Sequence, residues 1–262
     1  MSTTECNPPG EPRAAGAVRL LLVNGNTSEA VTGRIADAAR AVANPATELV
    51  AVTAAFGARY ILSRAEAAIA GHAALQAIAA APPGIDAAVI ACFGEPGLLA
   101  AREVAPFPVT GMAEAAMLTA CQVARRFILL TGGGRWPAML EELVAVYGLK
   151  ERCAAIAALP TGGQDLMRDP AAAVDALADL AARTLSRTDA DAVILGGAAL
   201  IDLLPPVSRR LAVPVIDPLA AAILQAEALV RLGARRPPPP PTAGLSGVDP
   251  RLSSLFGKGV SR

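Results

Sequence analysis

The sequence predicts an α/β protein of two lobes with parallel sheets, and three observations carry that reading. Short apolar runs alternate with alanine-rich stretches of helical character, the pattern of parallel α/β layering. The apolar runs are continuous rather than alternating, as strands are when helices cover both faces of a sheet. The pattern also occurs twice. The run from Arg19 to Asn24 matches the run from Arg126 to Thr131 at an offset of 107. Ala88 to Cys92 matches Ala192 to Gly196 at an offset of 104, and Pro108 to Gly111 matches Pro214 to Asp217 at 106. A duplicated unit implies two similar Rossmann-like lobes facing across a cleft.

In chain order, the first strand is predicted at Val18–Val23 and the first helix at Ser28–Val42, with Thr27 or Ser28 suited to cap it. A strand at Glu48–Ala54 precedes a helix at Ser63–Ala81, which Pro82-Pro83 ends. The strand Ala87–Cys92 leads to a helix at Gly97–Val104, with Pro96 suited to its first position. Pro108–Thr110 and the helix Glu114–Val123 close the first round. The second round runs through strand Phe127–Thr131, helix Pro137–Tyr147, strand Ala154–Ala158 and helix Pro170–Arg187. It ends with strands Ala192–Leu195 and Pro214–Ile216 and the helix Leu219–Leu232. Residues 1–16 have no periodicity, and neither do 235–262, where five prolines precede a Gly/Ser-rich stretch. Both ends are expected to be disordered. The first lobe is then 17–110 plus 214–234, and the second is 111–213.

Composition narrows function. With 53% hydrophobic and 18% charged residues among 262, the chain folds over most of its length. Lys plus Arg equals Asp plus Glu at 23 each, so no positive surplus exists to meet a nucleic-acid backbone. The uncharged run from Ala67 to Ile85 is too short and too weakly apolar to span a membrane. The four cysteines form no CxxC, and His72 is the only histidine, which argues against a metal centre. Thr131-Gly132-Gly133-Gly134 lacks the lysine of a phosphate loop and the GxGxxG spacing. The N-terminus has no signal-peptide character, and a cytoplasmic location with free thiols is expected. Serine hydrolysis has neither a nucleophile elbow nor a credible histidine.

Chemistry then concentrates at strand ends, where ligands bind in open parallel sheets. Cys92, with Phe93 and Gly94 after it, lies where a buried strand gives way to a helix. Free N–H groups and a helix dipole there would stabilise a thiolate and bind a carboxylate. The alternative for Cys92 is a buried thiol acting as a small hydrophobe. Asn24, Asn26 and Thr27 form a polar loop after the first strand that suits an anion or simply caps the helix. Thr131 occupies the matching position of the second lobe. Glu95 and Glu114 either line the cleft or begin helices in solvent. Cys121 and Cys153 read as structural, and Cys6 as idle.

These residues resemble a family. The runs Asn24-x-Asn26-Thr27-Ser28, Ala91-Cys92-Phe93-x-x-Pro96-Gly97-Leu98 and Pro108-Val109-x-Gly111-x-Ala113-Glu114 are similar to those of the aspartate/glutamate/hydantoin racemase superfamily, nearest its hydantoin and allantoin branch. So is Leu195-Gly196-x-Ala198 followed by Val213-Pro214-Val215-Ile216-Asp217, and the resemblance spans about residues 18 to 232. It implies a cofactor-independent enzyme of two α/β lobes related by a pseudo-twofold axis, in which two cysteines flank a stereocentre, one removing the α-proton and the other returning one to the opposite face. It assigns Cys92 to the first cysteine and Asn24, Asn26, Thr27 and Thr131 to the substrate loops. The substrate would be a small carboxylate or hydantoin-like carbon acid, with no metal, and a homo-oligomer is expected. Two departures stand out. Gly25 follows Asn24 where proline is usual, and the family's second cysteine is missing. The motif puts that missing thiol at Gly197, whereas the repeat sets Gly196 opposite Cys92; Gly196, Gly197 and Ala198 all enter the candidate site. A lone thiol also suits a decarboxylase similar to arylmalonate decarboxylase, although there the retained cysteine is the other one. A two-lobed ligand-binding relative with reduced chemistry, or a plain structural domain, is the non-enzymatic expectation.

Overall fold

A computed structural model describes residues 17–257. Cys6 and the rest of residues 1–16 lie outside the described residues, as do 258–262.

The first lobe contains β1 (Arg19–Asn24), α1 (Glu29–Val42), β2 (Glu48–Thr53), α2 (Arg64–Ala79), β3 (Ala87–Ile90), α3 (Leu98–Val104) and β4 (Val109–Gly111). The second begins with α4 (Met112–Val123), β5 (Phe127–Gly132), α5 (Trp136–Val146), β6 (Cys153–Leu159), α6 (Gly163–Leu166) and α7 (Pro170–Leu185). It continues with β7 (Ala192–Leu195), a 3₁₀ turn over Ala198–Leu203, α8 (Leu204–Ser208) and β8 (Val215–Ile216). The chain then returns as α9 (Pro218–Arg231) and closes with α10 (Pro250–Ser253).

Both sheets are four-stranded and parallel, ordered β2-β1-β3-β4 and β6-β5-β7-β8, so the repeat seen in the sequence is a repeat of topology. The central strands β1, β3, β5 and β7 are buried almost throughout, because helices cover each face. One apolar cluster runs from Leu20, Leu22 and Val89 of the first sheet to Phe127, Leu129 and Ile194 of the second. It passes through Ala116 and Met117 of α4 and Ala222 and Ile223 of α9. The lobes therefore share a core instead of swinging on a linker.

The lobe boundary differs from the one expected. Residues 214–216 do not belong to the first lobe: β8 pairs with β7, Val193 opposite Val215 and Ile194 opposite Ile216. Only after Asp217, whose side chain caps α9 by accepting from Leu219 N (2.9 Å) and Ala220 N (3.1 Å), does the chain cross back. The tail, expected to lack fixed structure, is in part docked. Leu252 is 5% exposed and Leu255 packs against the first lobe's outer cluster, because these leucines give a proline-rich stretch an apolar foothold. No helix among the described residues is long and apolar enough to cross a membrane.

Glu227 of α9 ties the returning helix to the first lobe. It is 2% exposed and accepts hydrogen bonds from Asn44 N (2.8 Å) and Thr47 Oγ1 (2.6 Å). Glu227→Leu leaves the Asn44 N–H and the Thr47 hydroxyl without this acceptor and is expected to cost about 1–3 kcal/mol in chemical denaturation. Glu227→Gln, which keeps an acceptor, is expected to cost less.

Candidate active site

The loop after β3 carries the principal candidate. β3 ends at Ile90, and Ala91 N donates to Val23 O (2.8 Å), leaving Cys92 as the first residue free of the ladder. Glu95 N donates to Cys92 O (2.9 Å) and Leu98 N to Glu95 O (3.1 Å), so the loop folds back on itself. Glu95 has φ +48°, the sole non-glycine residue among those described in the left-handed region. α3 begins only at Leu98, with Gly97 at its N-cap, so Pro96 lies ahead of the helix and not at its first position. The helix dipole invoked for Cys92 is thus short and remote. The groups that reach its sulfur are the backbone N–H groups of Gly94 and Glu95.

Of the two expected settings for Cys92, the structure shows the buried one. Cys92 is 9% exposed, and burial pushes its thiol up to about 11, with the Glu95 carboxylate adding to the rise. The two N–H groups pull it down but do not outweigh desolvation.

Cys92 opens on a cavity of about 180 Å³ between the lobes. The first lobe supplies Asn26, Val31, Tyr60, Ile61, Leu62, Cys92 and Phe93. From the second come Thr131, Gly132, Trp136, Gly162 and Asp165, with Gly197, Ala198, Ala199 and Leu200 completing the wall. Of the proposed site residues, the structure therefore brings together Cys92, Phe93, Asn26, Thr131, Gly197 and Ala198. Asn24, Thr27, Gly94 and Gly196 do not line the cavity.

Each of those four has a different place. Asn24 is buried behind the wall, where its amide nitrogen donates to Asn26 Oδ1 (3.0 Å) and Thr32 Oγ1 (2.9 Å). Asn26 Oδ1 also accepts from Ser28 N (2.9 Å), which leaves the Asn26 NH₂ as the group available to a ligand. The capping expected of Thr27 or Ser28 is absent: Ser28 is the N-cap of α1 but makes no side-chain cap bond, and the Val31 N–H that it would cap donates to the Ser28 carbonyl instead (3.1 Å). Thr27 N donates to Ala58 O (3.0 Å). Gly94 lies beneath Trp136, whose ring would stand 2.7 Å from a Cβ there. Gly196 lies beneath Phe93, whose ring occupies the space a Cβ would need.

The ladder also settles which glycine corresponds to Cys92. Ala91 N donates to Val23 O in one lobe and Gly196 N to Leu130 O in the other, both at 2.8 Å. Val23 pairs with Ile90 as Leu130 pairs with Leu195. Ala91 is hence equivalent to Gly196, and Cys92 to Gly197. The motif register is right and the repeat register is off by one.

Sequence reasoning had no signal for Tyr60, Ile61 or Leu200, which lie in loops and a 3₁₀ turn without motif. Trp136, the single tryptophan, carried a signal only in its residue type. Gly162, which no motif marks, lines the cavity beside Asp165. Glu95 is not on the cleft wall but buried behind the Cys92 loop, and Glu114 pairs with Arg102 (Arg102 Nη1 to Oε1, 2.9 Å). Cys121 is half-buried, and Cys153 donates to Ala155 O (3.7 Å) with its thiol raised by burial to about 11. His72 is exposed on α2 and meets Phe56 edge to face at 5.2 Å. Among the described residues no group of three His, Cys, Asp or Glu is placed to hold a metal ion.

A family profile described as Asp/Glu/Hydantoin racemase matches residues 20–226. The chain belongs to that family. Within it, the hydantoin racemase of Pseudomonas sp. (strain NS671) is 36% identical over 217 residues, 82% of this chain and 87% of that relative. The hydantoin racemase of Paenarthrobacter aurescens is 36% identical over 220 residues, 82% and 92% of the two chains. Among solved structures, allantoin racemase from Klebsiella pneumoniae is 39% identical with a TM-score of 0.84, covering 91% of this chain and 99% of that one. This membership and these relatives make the chain an isomerase of the racemase type. Arylmalonate decarboxylase, at 19% identity and a TM-score of 0.57, shares the fold.

Proposed function

We propose that this racemase-family enzyme acts on the acidic C–H of a neutral, hydantoin-like ring with an apolar substituent, with Cys92 as the acid–base group on one face. The observation that carries the reading is the cavity's chemistry around the sulfur. Apart from Asp165 its lining is uncharged, and no Lys, Arg or His contributes to it. A free amino acid carboxylate or a malonate would enter beside Asp165 without a cation to receive it, at a large desolvation cost. A neutral ring avoids that cost. Its α-proton is also easier to remove, since the enolate formed carries one negative charge and not two.

The residues then have roles. The Cys92 thiolate removes the proton, and the same thiol returns one to its own face. The Asn26 NH₂ donates to a ring carbonyl as negative charge develops there. Phe93, Trp136, Val31 and Leu200 hold the apolar substituent. Opposite Cys92, Gly197 leaves open the space a side chain would fill, and Thr131 Oγ1 lies 3.8 Å from where its Cβ would be. Proton delivery on that face therefore falls to water beside the Thr131 hydroxyl.

A panel of hydantoins, free amino acids and arylmalonates in deuterated buffer, followed by chiral analysis, tests this. Deuterium is expected to enter hydantoins and not amino acids. Carbon dioxide release from arylmalonates without exchange into hydantoins would replace this reading with the decarboxylase, and binding without either would leave a ligand-binding protein. Trp136→Ala is expected to raise KM about tenfold for hydantoins with large apolar substituents, about 1–2 kcal/mol of lost apolar contact, while sparing the methyl-substituted ring.

A further inference from the structure

The Cys92 loop is fastened to the opposite lobe at three successive residues. Phe93 covers Gly196, Gly94 lies beneath Trp136, and Glu95 reaches Tyr147 at the end of α5. Of these, the Glu95 attachment is polar and nearly buried, with the residue 4% exposed. Its Oε2 accepts from the Tyr147 hydroxyl and its Oε1 from Glu114 N (2.9 Å) in the first turn of α4. Gly111 is what admits the carboxyl, because a Cβ there would overlap it. The backbone at Glu95 adopts a conformation that a glycine would take without strain. A side chain maintained there against that cost has work that glycine could not do.

We propose that Glu95 is a positioning residue that locks the Cys92 loop to the second lobe through Tyr147 and α4, and that its charge governs how readily the Cys92 thiol ionises. This rests on the proposed role of Cys92 for its catalytic meaning but not for its physical test. The charged and titratable groups around Glu95 are Cys92 on its own loop, Tyr147 on α5, Glu114 on α4 and Arg102 on α3, which Glu114 engages. Burial, the largest influence, raises the Glu95 carboxyl to about 7, so its charge changes in the neutral range. Below that pH it is neutral and Cys92 loses its proton more easily. Above it, the carboxylate opposes a second negative charge on the sulfur.

The test is the rate of Cys92 alkylation by iodoacetamide from pH 5 to 11 on the intact protein, with Cys92→Ala as the blank for the other thiols. Wild type is expected to show a break near pH 7 ahead of the main rise. Glu95→Gln, close in shape but uncharged, is expected to lose the break and to react about tenfold faster at pH 9, as one nearby charge shifts a thiol by about one pH unit. Tyr147→Phe removes a donor to the carboxylate and is expected to move the break to higher pH. It keeps the proposal open to disproof should the glutamine variant not fold. Profiles for both variants that superimpose on wild type would overturn the proposal. Altered alkylation with no activity toward any hydantoin would instead leave it standing and remove the functional reading.

Discussion

Cys92→Ala is expected to lower α-deuterium incorporation by about 10³-fold, within the range that general acid–base groups contribute, while leaving the fold intact. The thiol is buried beside Ile61 and Ala70 and is small, so its removal opens little space. The pH dependence sharpens the expectation. With the thiol raised to about 11, only about one molecule in a thousand carries the thiolate at pH 8, and that fraction grows about tenfold per pH unit from 8 to 10. Exchange is therefore expected to climb steadily from pH 8 to 10, above the break that Glu95 ionisation causes near pH 7. An ordinary exposed cysteine would level off near 9. The scarce thiolate is a stronger base than usual, which suits a weakly acidic carbon. Initial rates of deuterium uptake by mass spectrometry check both statements, and equal uptake in the alanine variant would exclude Cys92 from the reaction.

The second large effect separates two neighbouring glycines. Gly197→Cys is expected to raise racemisation, because it places a thiol at the position equivalent to Cys92 on the other face of the cavity. The nearest side-chain atom to a Cβ there is Leu200 Cγ at 3.4 Å, an ordinary contact. Its φ of +136° is costly for a non-glycine residue, about 1–3 kcal/mol, so a lower melting temperature accompanies the gain. Gly196→Cys is expected to fail. Its Cβ would overlap the Phe93 ring, and relieving that overlap means moving the loop that carries Cys92. Loss of stability beyond about 3 kcal/mol and no gain in racemisation are the expected readings. Chiral chromatography of single-enantiomer substrate, beside thermal melts, distinguishes the two. A gain in the Gly196 variant and none in Gly197 would reverse the register.

Much of this molecule was legible without coordinates. The two-lobed parallel architecture followed from uniformly apolar strands and their recurrence, since burial on both faces leaves polar residues no place in β1, β3, β5 or β7. Cys92, Asn26, Thr131 and Gly197 were likewise visible, because strand ends are where side chains escape the ladder and motifs mark them. Less accessible were relations between segments far apart in the chain. Asn24 supports Asn26 from behind the cavity wall, and Trp136 and Leu200 enter the cavity from the second lobe. Glu95 passes from cleft to interior because Gly111 and Tyr147 make room and a partner for it.

Sequence by itself determined the architecture and the presence of a thiol at Cys92 with glycine at Gly196 and Gly197, as these depend on local pattern and residue identity. Only tertiary structure decided that this thiol is hard to ionise and, through the ladder, which of the two registers for its counterpart holds, Gly197 over Gly196. Desolvation and hydrogen-bond register arise when distant segments exclude water together, and no single stretch of chain carries either property.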